Sequence, residues 1–166
     1  MADDLLSSSF WRPLRVLQEA LDNEIAALYD EAGITGVRTR FVGPLIQLGR
    51  VESMTIQELA SAMQVTHSAM SQTAAAMRTA GLAEPVEPAG GDGRTRRVRL
   101  TARGRDLLPF LRAEWRATEA TVRELDAEIP YALSRVVEDI NAALAARPFG
   151  QRLRENLAKA LDGKLQ

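Results

Sequence analysis

Thr66, His67, Ser68, Ser71 and Gln72 bring hydroxyl, imidazole and amide groups together over seven positions, and Arg94, Arg96 and Arg97 bring three guanidinium groups together over four. The first set can donate to and accept from the edges of stacked bases, and an amide such as that of Gln72 can pair bidentately with adenine. The second set is fixed positive charge, suited to phosphate or to a narrow minor groove. Neither set is equipped for catalysis. With one histidine and no cysteine in the chain, no nucleophile, base and acid can be assembled in the usual way, no Gly-rich loop leads from a strand into a helix, and the carboxylates are dispersed along helix faces. An enzyme is not expected, so no catalytic residue and no cofactor is assigned. The same residue counts leave too few ligands for a regulatory zinc or copper site, so no metal is expected.

The elements around these residues are readable from local signals. Thr55 followed by Glu58 makes a capping box for a helix carrying Ile56, Leu59, Ala60 and Met63 on one stripe. Gln64 and Val65 form a tight break, and Thr66 caps a second helix that runs to Ala80 and stops at Gly81. Two capped helices so closely joined predict a helix-turn-helix. On the second helix Ala69, Met70, Thr73, Ala76, Met77 and Ala80 have the spacing of a core-facing stripe. The polar run from Thr66 to Gln72 then lies at the end where a recognition helix meets base edges. After Gly81 the pattern alternates: Leu82 to Glu87 and Arg96 to Leu100 predict two strands, with Val98 and Leu100 on one face and Arg97 and Arg99 on the other. Between them Pro88 to Gly93 contains one proline and three glycines and must be a loop. The result is a winged helix with arginines at or near the wing tip.

The rest of the chain is predicted to be helical: Pro13 to Glu31 with a stripe of Leu14, Leu17, Leu21, Ile25 and Leu28, and Arg38 to Leu48 with Phe41, Leu45 and Leu48 on one face and a bend at Gly43 and Pro44. A long helix capped by Thr101 is expected to reach about Glu128, where Pro130 breaks it, and two more follow over Tyr131 to Ala146 and Phe149 to Leu161. The expected fold class is mainly α with a small β-hairpin wing, a winged helix-turn-helix embedded in a helical dimerisation base. Its expected parts are residues 1–37 (N-terminal helix of the dimerisation region), 38–104 (DNA-binding region) and 105–166 (C-terminal helices of the dimerisation region).

Charge separates these parts. The whole chain has a formal net charge of −1, which argues against a nucleic-acid partner until the segments are taken singly. Residues 1–37 carry two arginines against seven carboxylates, whereas residues 38–105 carry ten arginines against five. Positive charge is thus confined to the reading unit, as phosphate neutralisation requires. A winged helix that binds protein rather than DNA is the alternative, and it would not need this basic segment. The surplus helices on both flanks carry long apolar stripes that a winged helix does not require for folding. A two-fold homodimer would cover them, and a helical cap on a monomer is the alternative. No stretch resembles a signal peptide or a membrane span, so a cytoplasmic protein with no membrane partner is expected.

Asp92-Gly93-Arg94 followed by Leu100-Thr101-Ala102-Arg103-Gly104 resembles the D-x-R-x-x-x-x-x-L-T wing signature of the multiple-antibiotic-resistance regulator (MarR) family, and the stretch VTHSAMSQTAAAMRTAGLAE resembles its recognition helix. The resemblance extends over nearly the full chain. It implies a dimeric transcription regulator, often a repressor released by a small aromatic or anionic effector, on a pseudo-palindromic double-stranded DNA operator. Ala74-Ala75-Ala76 depart from the family, where many relatives carry charge late in the recognition helix, so phosphate contacts would come from Arg78, the wing, or Arg38 and Arg40. Asp92 can hold Arg94 in pose as a wing support. Trp11, Arg15, Phe41 and Trp115 could line an effector pocket together with Phe10, although aromatics such as these are more often core.

Overall fold

The computed structural model describes residues 9, 11–86 and 97–163. Asp92, Arg94, Arg96 and Phe10 fall outside them, as does the tip of the expected wing. The chain runs α1 (Arg12–Glu31), α2 (Thr39–Leu48), β1 (Met54–Thr55), α3 (Ile56–Ala62), α4 (His67–Thr79), β2 (Ala83–Val86), β3 (Arg97–Leu100), α5 (Ala102–Glu128), α6 (Leu133–Ala146) and α7 (Phe149–Leu161). It divides into two compact units, Met1–Trp115 and Arg116–Gln166.

The first unit is built by local signals that then share one core. Pro13 sits in the first turn of α1, and Gly33 takes φ +67 just past its end. Thr55 and Glu58 form the expected capping box: the Glu58 amide donates to Thr55 Oγ1 at 3.0 Å, and the Thr55 amide donates to Glu58 Oε2 at 2.7 Å. That backbone donor is the main reason the Glu58 carboxyl is held below its ordinary pKa, with Arg97 adding to it. Because the folded pKa is lowered, the box contributes above the ordinary carboxylate range and weakens as pH falls through the lowered value. Thr66 caps α4 by accepting from the Ala69 amide at 3.2 Å, and Gly81 follows α4 at φ +69.

The core takes Phe41, Leu45 and Leu48 from α2, Leu59 and Ala60 from α3, Met70, Ala74 and Met77 from α4, Leu82, Val98 and Leu100 from the wing base, and Leu108 and Leu111 from α5. Two positions on α4 differ from the expected stripe: Ala69 is exposed and Ala74 is buried. Alanine carries no polarity to set the helix phase, and the larger Met70 and Met77 do so instead. Tyr29 is the one buried residue of α1, and the expected leucine stripe beside it is largely exposed, with Leu17 at 50%. The Tyr29 hydroxyl donates to Glu114 Oε2 at 3.3 Å, and its ring meets Phe110 edge-on. Burial first, and the Glu114 carboxylate second, push the Tyr29 hydroxyl above its ordinary pKa, so it remains a donor.

The hairpin has company that the pattern did not announce. β3 is the middle strand of a three-stranded antiparallel sheet in the order β1-β3-β2, with Met54 opposite Val98 and Ala83 opposite Leu100. β1 is two residues long, too short to show a period. Across β2 and β3, Arg99 Nε donates to Glu84 Oε1 at 2.8 Å. In the joint between α3 and α4, Gln64 has φ +54, and it is the one non-glycine among the described residues with a positive φ. A side chain there costs about 1 kcal/mol relative to glycine. Gln64→Gly is therefore expected to raise the unfolding free energy by about 0.5 to 1 kcal/mol, read as a higher urea midpoint; a lowered midpoint would contradict this account of the turn.

The second unit is different in kind. Neither α6 nor α7 has a buried residue, although Val136, Val137 and Ile140 on α6 and Phe149, Leu153 and Leu157 on α7 recur at helical spacing. Its polar contacts are local: Ser134 Oγ donates to Asp126 Oδ2 at 2.7 Å to fix the turn before α6, and Arg147 pairs with Glu155. No helix among the described residues is long and apolar enough to cross a membrane.

Candidate nucleic-acid interface

The expected base-reading residues occupy one continuous exposed face. His67, Ser68, Ser71 and Gln72 are all exposed on α4, and Thr66 is exposed at its cap. Ala75 and Arg78 continue the same face toward the helix end, because residues three and four apart lie one above the other. Met70, Ala74 and Met77 are buried on the opposite side, so the reading face is held outward by packing rather than by its own polarity. Of the three consecutive alanines, only Ala75 lies on this face. A methyl group in the middle of the face lets the helix backbone approach a groove closely, and it leaves Arg78 as the cation of that face.

The expected cations separate into engaged and available ones. Arg97 is not at a tip: it lies on β3 opposite Thr55, where its Nε donates to Ser53 Oγ at 3.0 Å and its Nη2 to the Ser53 carbonyl at 2.8 Å. Glu58 lies 3.6 Å from the same guanidinium. Arg97 therefore ties the sheet to the capped start of α3, which sequence spacing could not show because Ser53 is 44 positions away. Arg40 stacks over the Phe41 ring at 5.6 Å, and Arg38 stands exposed at the cap of α2. Of the residues expected to meet an effector, Phe41 is buried in the core, whereas Trp11, Arg15 and Trp115 are exposed. Among the described residues no group of three or more His, Asp or Glu side chains is placed to hold a metal ion.

Behind the reading face, the wing base and the start of α5 are joined by a contact set that sequence reasoning only partly caught. Thr101 caps α5 as expected, accepting from the Gly104 amide at 3.1 Å. It also donates its hydroxyl to the Gly81 carbonyl at 2.7 Å and its amide to the Leu82 carbonyl at 3.1 Å. Gly104 is buried directly against that Leu82 carbonyl.

The MarR family model matches residues 45–95, the span from the end of α2 into the wing. No curated protein matches the chain. Among solved structures, the chain is similar to the MarR family transcriptional regulator SPO1453 of Silicibacter pomeroyi, at 26% identity over 86% of this chain and 99% of that one, with a TM-score of 0.50. It is similar to the M. tuberculosis transcriptional regulator MOSR, solved in complex with DNA, at 26% identity over 84% of this chain and 99% of that one, with a TM-score of 0.57. The fold is also that of the transcriptional regulator SlyA, at 14% identity over 93% and 98% of the two chains and a TM-score of 0.55. These relatives are transcriptional regulators and not enzymes. Residues 45–95 thus match the MarR family model, and the chain is similar over most of its length to solved regulators, one of them a MarR family member.

Proposed function

We propose that the chain is a sequence-specific transcription regulator that acts in the cytoplasm as a two-fold homodimer on pseudo-palindromic double-stranded DNA, repressing its target until a small aromatic or anionic effector releases it. The observation that carries the DNA-reading part is the α4 face itself: His67, Ser68, Ser71 and Gln72 exposed together, with the opposite side of the helix locked in the core. The similarity to a regulator solved on DNA supports the same reading. Homodimerisation is supported by α6 and α7, neither of which has a buried residue and whose apolar side chains are largely exposed among the described residues. Two recognition helices related by a two-fold axis would enter major grooves about 34 Å apart, which is why the operator should have two related halves. Effector release rests on the separate exposure of Trp11, Arg15 and Trp115, whose indole rings and guanidinium are chemically suited to an aromatic anion.

Selecting bound duplexes from random-sequence DNA, then titrating salt, tests the assignment. Gln72→Ala should weaken the best duplex by about 1 to 3 kcal/mol and random DNA hardly at all. Arg78→Ala should weaken both and lower the slope of log K against log salt by about one. Failure to recover any symmetric, preferred duplex would count against DNA reading. Identical behaviour of the two variants would refute the division between reader and clamp.

A further inference from the structure

Arg103 stands near the start of α5, two residues beyond the Leu100-Thr101 motif, and its contacts lie away from the α4 reading residues. Its Nη1 donates to the Ala80 carbonyl at 2.6 Å, and its Nη2 to the Thr35 carbonyl at 2.5 Å, with Thr35 Oγ1 at 3.4 Å. Ala80 is the C-cap of the recognition helix, where carbonyls lack intrahelical partners and the helix dipole places partial negative charge. Thr35 lies in the corner between α1 and α2, a corner held by the Ile34 amide donating to the Tyr29 carbonyl at 2.8 Å. Two glycines with positive φ flank the guanidinium: a Cβ on Gly36 would stand 3.7 Å from Nη2, and one on Gly81 3.8 Å from Nη1. One planar fork thus joins the end of the recognition helix, the α1–α2 corner and the start of α5.

We infer that Arg103 is a positioning residue for DNA reading: it fixes the tilt of α4 against the helical frame, and its charge is engaged by carbonyls rather than by phosphate. The inference rests on the assignment of α4 as the reading helix. A base contact depends on donor and acceptor positions to within a few tenths of an ångström, whereas attraction to phosphate tolerates a helix that rocks. Releasing the fork should therefore cost discrimination between sequences and spare non-specific binding. Lysine preserves the charge but is a single ammonium on a flexible stem, unable to reproduce a planar fork to two carbonyls.

The test measures, for wild type, Arg103→Ala and Arg103→Lys, the affinity for the best duplex recovered from random-sequence DNA, the affinity for a scrambled duplex of equal length, and the salt slope of each. Urea unfolding fixes the temperature at which each variant is folded; if Arg103→Ala is not folded, Arg103→Lys is decisive on the same readouts. The expected result for Arg103→Ala is a loss of about tenfold on the best duplex, the order of one mis-set base contact, with unchanged scrambled affinity and unchanged slope. Arg103→Lys should fall between alanine and wild type. A slope lowered by about one with both affinities falling together would make Arg103 a phosphate contact and overturn the inference, as would full recovery with lysine or undiminished discrimination in both variants. A wild type that prefers no duplex would instead overturn the reading-helix assignment, and the role of Arg103 with it.

Discussion

Gly104→Ala is expected to destabilise the protein by about 2 to 3 kcal/mol, lowering the thermal midpoint by roughly 5 to 10 °C. The added methyl would fall well inside contact distance of the Leu82 carbonyl oxygen, with the Leu82 carbonyl carbon and a Leu100 methyl closing the site. Backbone cannot swing aside as a long side chain can. That carbonyl also accepts the Thr101 amide, so moving it breaks the joint between wing and α5. Alanine is the better helix former by about 1 kcal/mol, and Gly104 lies within α5. Propensity and packing therefore predict opposite signs, and a backbone clash in a buried site outweighs the gain in helix propensity. A scan at matched protein concentration decides between them: an unchanged or higher midpoint would falsify the packing account.

How much of this was legible in advance depended on the range of each interaction. Both caps, at Thr55 with Glu58 and at Thr66, were readable because their partners are three residues away. The exposed reading face was readable because a polar run beside Met70 and Met77 has only one way to turn. The phase at Ala69 and Ala74 was not, since alanine is indifferent to either side. The roles of Arg97 and Arg103 were hidden for a different reason: an arginine in a basic segment reads as a cation for phosphate, and only the fold shows that Ser53 and Ala80 are beside them. The sequence leaves Phe41 open between pocket and core, and the packing of α2 places it in the core. The leucine, valine and isoleucine stripes of α1, α6 and α7 are legible as stripes, but a periodic pattern does not name the surface that covers it.

The second large effect concerns those stripes. Ile140→Asp is expected to convert a dimer into a monomer and to abolish high-affinity binding to a two-half operator. Ile140 is 44% exposed on α6, between Val136, Val137 and Leu144 at helical spacing, in a helix with no buried residue. Covering that face in a second copy removes it from water, and a two-fold axis makes each substitution count twice. An aspartate at a dry interface without a partner costs several kcal/mol through desolvation; at about 3 kcal/mol per copy, association weakens roughly 10⁴-fold. The core of the first unit contains none of α6, so the variant should retain that core and the α4 face, and its non-specific DNA binding with them. What it loses is the second recognition helix on the same duplex, and with it the gain from binding two half-sites at once. Sedimentation at low micromolar concentration should show wild type at twice the 18.2 kDa chain mass and the variant at the chain mass. A wild type that sediments at 18.2 kDa, or a variant that remains at twice that mass with operator affinity intact, means that the stripes on α6 and α7 are covered by something other than a second copy.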